Sequence, residues 1–226
     1  METKIITYGT SGYSKFIKNF YLNLKQIGIA NKLRIYCLDE MCYEDIASFA
    51  NCSEVIQWIP QKEVPIKLLQ YGEVGFAEIM AQKIEIVSHE LCLGNNIIYS
   101  DSDIFLYENP IPYLEAIKED CSFMLDWNGD ACAGFFYAKS TWLSKLIFSP
   151  RSVENLKDFD QTLINAKLNW EGIEYNILDA KLFCNGPLWL GAASSWSQAP
   201  IAVHYNAMQS SKKVECMQRY GHWLVH

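Results

Sequence analysis

Asn95-Asn96-Ile97-Ile98-Tyr99-Ser100-Asp101-Ser102-Asp103-Ile104-Phe105-Leu106 is the stretch that decides the fold. A short apolar run bounded by Gly94 and the Asn pair reads as a buried strand of an α/β sheet. Side chains alternate in extended backbone, which turns Asp101 and Asp103 to one side and Ser102 to the other. Carboxylates at the carboxyl end of such a strand lie where open α/β sheets bind ligands. Side by side they repel, and a hard divalent cation that prefers oxygen ligands relieves the conflict. The plain alternative is two solvated aspartates in a turn. The buried strand running into them favours the cation.

Outward from this point, strand and helix patterns alternate. Lys4 to Tyr8 reads as a first strand, followed by the loop Gly9-Thr10-Ser11-Gly12-Tyr13-Ser14. A helix near 14–27 carries apolar residues at Phe16, Ile17, Phe20, Leu24 and Ile27, and Gly28 ends it. Leu33–Leu38 is a strand, Tyr43–Ala50 a helix and Val55–Ile59 a third strand, while 60–73, with two prolines, is a loop. A long helix over about 75–93 precedes the Asp101 strand. Beyond it the pattern predicts a helix from Pro112 to about Glu119, strands at Ser122–Leu125 and Gly134–Ala138, and a helix opened by Ser140. A further helix runs over 158–168, irregular chain with short strands covers 173–203, and a short amphipathic helix starts at Ser210. Such alternation implies right-handed βαβ units and a mainly parallel sheet. We expect one domain spanning 1–226.

Composition narrows the function. The net charge of −7 argues against a nucleic-acid partner, which needs a basic footprint, and makes an anionic substrate awkward unless a bound cation mediates. No apolar run approaches the ~20 residues that cross a bilayer, so no transmembrane segment is expected. The amino terminus lacks the pattern of a secretory signal, and a cytoplasmic location is the expectation. The eight cysteines form no CxxC pair, and several lie in apolar runs, which suggests reduced, mostly buried thiols. A nucleophilic thiol at Cys132 is the weaker reading.

The order of motifs then carries a resemblance. Ile6-Thr-Tyr-Gly-Thr-Ser-Gly-Tyr13, Gln82-Lys83, Ile98 to Pro110, Cys132-Ala-Gly-Phe-Phe-Tyr137, Asp160-Gln161 with Asn165, Phe183-Cys-Asn-Gly186, and Val203-His-Tyr-Asn206 with Lys213 and Gly221-His-Trp223 stand in sequence along nearly the whole chain. Together they resemble the nucleotide-diphospho-sugar transferase family, glycosyltransferases of the glycosyltransferase-A fold related to retaining α-galactosyl and α-xylosyl transferases. They are also similar to small glycosyltransferases of large DNA viruses. The resemblance implies a Rossmann-like, mainly parallel sheet flanked by helices. It implies a UDP-linked or related nucleotide-sugar donor, a glycan or other hydroxyl acceptor, and Mn²⁺ or Mg²⁺ as cofactor.

Residue by residue, it gives the metal to Asp101, Asp103 and His204, and a histidine among the ligands suits Mn²⁺ better than Mg²⁺. It gives the nucleotide to Tyr8, Gly9, Thr10 and Tyr13, with Ser102, Lys83, Gly134 and Lys213 (rather than Lys212) near the phosphates or donor sugar. Asp126, Asp160 and Gln161 become the catalytic candidates, with Asp126 and Asp130 near sugar hydroxyls. Asp160 read alone is equally a helix N-cap. An inverting reaction would need Asp160 or Asp126 as base, whereas a retaining one needs none. Trp127, Trp189 and Trp196 either stack on sugars or fill the core, with core preferred for two of the three. His89, His222 and His226 read as structural. Two departures stand out: Ala133 replaces the usual polar residue before Gly134, and the short chain suggests a reduced acceptor site. The rival readings are a haloacid-dehalogenase-like phosphatase, which lacks a later acidic pair here, and a catalytically silent sugar-nucleotide-binding module.

Overall fold

Seven strands form the main sheet in the order β3-β2-β1-β4-β7-β6-β8. They are β1 (Thr3–Gly9), β2 (Leu33–Cys37), β3 (Glu54–Gln57), β4 (Asn96–Ser100), β6 (Cys121–Leu125), β7 (Ala131–Ala138) and β8 (Asn176–Ile177). The computed structural model describes residues 2–51, 53–70, 72–150, 160–170, 172–192 and 196–225. The pairs β1–β2, β1–β4, β2–β3 and β6–β8 are parallel, whereas β7 runs antiparallel to both β4 and β6. A second sheet joins β5 (Ile104–Leu106), β10 (Ala202–His204) and β9 (Phe183–Asn185).

Alternation explains the layers. Ile5, Ile98 and Phe135 turn to one face, where they meet Ile17, Phe20 and Leu24 of α1 (Ser14–Gln26) and Ile46 of α2 (Glu40–Ala47). Their neighbours Ile6, Ile97 and Phe136 turn to the other. There they meet Ile84 and Val87 of α3 (Phe76–Cys92), Ile147 of α5 (Trp142–Ile147) and Ile164 of α6 (Asp160–Trp170). With helices on both faces the sheet buries continuous apolar runs, as the sequence implied.

Several boundaries differ from the sequence reading for local reasons. Helix α2 starts at Glu40 because the Asp39 side chain accepts the Cys42 N–H and caps it. The predicted helix after Pro112 is the single short α4 (Ile111–Glu115). Within the stretch expected to be irregular, α7 (Gly186–Ala192) forms, with Asn185 Oδ1 accepting the Leu188 N–H at its start. The start of the 158–168 helix and His226 fall outside the described residues. Cys37, Cys42, Cys121, Cys132 and Cys184 are buried, as expected. Among the described residues no helix is long and apolar enough to cross a membrane.

Helix α8 (Ser210–Arg219) and the tail after it close on the second sheet through His222. The ring of His222 stacks on Phe105 with centroids 4.0 Å apart. Its nitrogens meet the Tyr205 hydroxyl at 2.6 Å and the Tyr107 hydroxyl at 2.8 Å. Burial pushes His222 down to about 4, from an ordinary 6.5. The unfolded chain therefore takes up a proton that the fold refuses, so this residue removes stability as pH falls from about 6.5 to about 4 and no more below that. The loss amounts to about 3 kcal/mol. Urea midpoints across this range should show that slope, and it should vanish in His222→Asn.

Candidate active site

The Asp101–Asp103 segment is a turn, not a continuation of the strand. Strand β4 stops at Ser100, and β5 begins at Ile104 in the other sheet. The two carboxylates converge because the chain changes sheets there, not because extended residues alternate. The third group arrives by strand pairing. Strand β10 runs antiparallel to β5 with His204 opposite Ile104, and the Tyr205 N–H donates to the Asp103 carbonyl at 3.1 Å.

One oxygen each of Asp101 and Asp103 and a ring nitrogen of His204 lie within 4.8 Å of one another. His204 Nε2 is 3.3 Å from Asp103 Oδ1 and 3.7 Å from Asp101 Oδ2. Behind the ring, Cys132 Sγ meets His204 Nδ1 at 3.6 Å and accepts the Gly134 N–H at 3.4 Å. The Cys132 thiol is only 2 % exposed behind the histidine ring, so burial, not the imidazole contact, argues against a nucleophile. Gly134 makes room for this cluster: a Cβ there would lie 2.2 Å from His204 Cε1 and 2.7 Å from Asp101 Oδ2. The expected close approach at Gly134 is therefore made by the cluster's own side chains.

Two lysines flank the carboxylates. Lys213 Nζ, from α8, lies 2.5 Å from Asp103 Oδ2. Lys83 of α3 is only 2 % exposed, and its ammonium meets Asp160 Oδ2 at 2.5 Å, Asp101 Oδ1 at 3.4 Å and the Ala133 carbonyl at 3.0 Å. It also stands 4.6 Å above the Tyr99 ring, whose hydroxyl donates to Asp101 Oδ1. Burial disfavours charge on Lys83, but Asp101 and Asp160 outweigh it and hold the ammonium above the ordinary lysine value. For His204, burial likewise opposes protonation, yet the Asp103 carboxylate pushes it up to about 10. Asp103 is held far below the usual carboxylate range, burial being overcome by Lys213 and His204. Cationic groups on Lys83, Lys213 and His204 thus offset the carboxylates of Asp101, Asp103 and Asp160.

The catalytic candidates form a second network. Asp126 Oδ1 accepts from the Asn206 amide at 2.7 Å and Oδ2 from the Gln161 amide at 2.9 Å. Gln161 Oε1 accepts the Ala133 N–H, and Asn165 bonds both backbone groups of Ala131. These amides take the place of a strand neighbour along the first half of β7, which β4 does not reach. Asp160 opens α6 with its carboxylate spent on Lys83. The sequence alone assigns no role to Asn206 and weighs Cys132 only as a nucleophile. Asn206 lies two residues past His204, and that spacing was the available signal.

The first loop folds back on its own chain. The Thr10 hydroxyl and Gly12 N–H both donate to the Ile66 carbonyl, and the Tyr13 hydroxyl donates to the Leu69 carbonyl. A Cβ on Gly12 would sit 2.2 Å from the Leu68 nitrogen. Gly9 instead packs on Ile17 and Tyr13, and the Tyr8 hydroxyl reaches Met80 Sδ at 3.8 Å. Ser102 is buried between the two aspartates, whereas Lys212 and Asp130 are exposed. Trp189 is core and Trp196 packs against it, while Trp127 is 67 % exposed. His89 packs edge-on against Trp58.

Solved structures place this arrangement among the glycosyltransferase-A folds. Galactosyltransferase LgtC, crystallised with donor and acceptor sugar analogues, matches with a TM-score of 0.64 at 9% identity, over 99% of this chain and 95% of its own. A glycosyltransferase involved in glycosylation of the major capsid of PBCV-1 matches with a TM-score of 0.60 at 10% identity, over 97% of this chain and all of its own. At such identities the likeness is one of fold.

The profile of the nucleotide-diphospho-sugar transferase family matches residues 28–217, and the chain belongs to that family. The UDP-galactose:fucoside alpha-3-galactosyltransferase of Dictyostelium discoideum is 26% identical over 191 positions, covering 69% of this chain. A UDP-D-xylose:L-fucose alpha-1,3-D-xylosyltransferase of Arabidopsis thaliana is 25% identical over 190 positions, again 69% of this chain. The chain spans 29% of the first relative's length and 52% of the second's.

Proposed function

We propose that this chain, acting as one catalytic domain over 1–226, moves a sugar from a UDP-linked donor to a hydroxyl of a glycan, with Mn²⁺ as resident cofactor and retention at the anomeric carbon. The observation that carries this reading is the convergence of Asp101, Asp103 and His204 within 4.8 Å, between Lys83 and Lys213. Two carboxylates and one imidazole, drawn from both sheets, suit Mn²⁺ better than Mg²⁺. The space beside Gly134, which a Cβ would close, fits such a cradle. These three residues would hold the ion, which when bound supplies Lewis-acid neutralisation of the donor's diphosphate.

The rest of the site is protein. Lys213 brings a second cation to the same place and can neutralise phosphate oxygens as UDP departs. Burial opposes its charge, but Asp103 keeps it protonated. Lys83, buried and triply held, fixes Asp101 from behind and positions it. Asp126 is engaged by amides through both oxygens and Asp160 by Lys83 through Oδ2, which supports retention over inversion. In that course the acceptor oxygen bonds the anomeric carbon on the face the phosphate leaves. The carbon–oxygen bond to phosphate breaks, and the acceptor proton passes to the departing phosphate oxygen. The two relatives named for fucose or fucoside acceptors support a fucosylated acceptor. The family match sets the phosphatase reading aside.

Thermal denaturation with UDP-galactose and UDP-xylose, with and without Mn²⁺, tests the donor. A ligand at a hundred times its Kd adds about 2.7 kcal/mol of stability, visible as a raised Tm. Failure of every UDP-sugar to stabilise the chain in Mn²⁺ overturns the proposal. Binding with neither hydrolysis nor transfer leaves a silent binding module.

A further inference from the structure

We infer that Trp127 is the stacking platform for the acceptor, and that the sugar it takes is a 6-deoxyhexose with an uninterrupted apolar face. The inference rests on the glycosyl-transfer reading above. Of seven tryptophans, Trp58, Trp189, Trp196 and Trp223 each pack against another aromatic ring. Trp127 and Trp142 are the strongly exposed ones among the described residues, at 67 % and 75 %. Trp142 opens α5 in the helix layer. Trp127 follows Asp126 directly, and so stands one residue from a carboxylate fixed to Asn206 and Gln161.

The turn that presents it is braced. The Asp126 N–H donates to the Asp130 carbonyl at 2.9 Å, and the Gly129 N–H to the Asp126 carbonyl at 3.1 Å. The Asn128 amide donates to Asp130 Oδ2 at 2.7 Å. Gly129 adopts φ +94°, a conformation that favours glycine, so the tight turn is built into the sequence. A large indole held in water on a rigid turn beside a site carboxylate has the two halves of a sugar-binding surface. The ring offers a flat apolar face for C–H groups, and the polar groups around it suit the hydroxyls at the sugar's edge. A 6-deoxy sugar puts a methyl where a hexose has a hydroxymethyl, so it extends the apolar face and leaves no hydroxyl stranded on the indole. The fucose acceptors in the names of both relatives agree in chemistry.

The test compares methyl α-L-fucoside with methyl α-L-galactoside, which differ only by the hydroxyl at carbon 6, using Mn²⁺ and whichever of UDP-galactose and UDP-xylose stabilises the protein. The wild type should transfer to the fucoside with the lower KM. Trp127→Ala should raise the fucoside KM about tenfold or more and erase the preference. Trp127→Phe should restore most of both. Donor affinity and the slow hydrolysis of donor by water should stay unchanged in both variants. An unchanged fucoside KM in Trp127→Ala overturns the inference, as does a parallel fall in donor hydrolysis. So does a wild type that hydrolyses donor yet prefers the galactoside or uses neither. A wild type that neither binds nor hydrolyses any donor instead defeats the glycosyl-transfer reading itself.

Discussion

Asp103→Ala is expected to abolish the Mn²⁺-dependent stabilisation by UDP and to lower turnover roughly 10²–10³-fold, the scale of losing one preorganised contact to developing charge. The fold should survive. Asp103 lies in a turn, and the contact that docks β10 there uses its backbone carbonyl, which alanine keeps. Its carboxylate has two further roles, as partner of Lys213 at 2.5 Å and of His204 at 3.3 Å. Lys213 keeps 22 % of its side-chain surface exposed and can turn its head outward once the carboxylate is gone. Manganese binding followed by electron paramagnetic resonance separates loss of the ion from loss of activity. Asp130→Ala, which alters an exposed carboxylate on the neighbouring turn, is the control and should bind the ion as the wild type does. Equal manganese affinity in Asp103→Ala and the control would remove the metal role from this cluster.

Much of this arrangement was readable from the chain, and the unread part has identifiable causes. Strands β1, β2 and β4 carry apolar runs closed by turn residues, and α1 and α3 carry long apolar stripes, so local pattern sufficed. Helix α7 escaped because Asn185-Gly186-Pro187 reads as a turn. The same three residues also start a helix, with Asn185 as cap and proline in the first turn, where its missing N–H is harmless. Local sequence does not distinguish the two. The aspartate pair was found for a reason that the structure replaces: the segment is a crossing between sheets, and period-two alternation has no part in it. That crossing depends on β5 pairing with β10, almost a hundred residues further along the chain. Nothing local to either strand records the partnership, which is why His204 came only through the resemblance. Gly134 was expected to let the backbone approach the donor sugar. What approaches is a histidine from a distant strand, again a non-local fact. Cys132 is the converse case, since its burial was expected and its contact with His204 was not.

Lys83→Met is expected to destabilise the chain by about 3–5 kcal/mol, the toll of breaking a buried ion pair from one side. The ammonium is a hub. It neutralises Asp160 and Asp101, donates to the Ala133 carbonyl, and stands over the Tyr99 ring. Methionine fills similar volume and holds none of these, so two carboxylates are left facing each other without a cation. The double variant Lys83→Met/Asp160→Leu should recover a large part of the loss, because the stranded charge goes with its partner and two apolar side chains take its place. Urea unfolding of the four members of this cycle gives the coupling between Lys83 and Asp160 directly, and a coupling below about 0.5 kcal/mol would contradict the pair's importance. Activity should not follow stability. Lys83 also braces Asp101, whose remaining side-chain anchor on that oxygen is the Tyr99 hydroxyl, so the double variant should fold yet bind manganese and UDP-sugar poorly. A refolded double variant with full turnover would show that Lys83 holds the protein together but leaves the position of Asp101 to other groups.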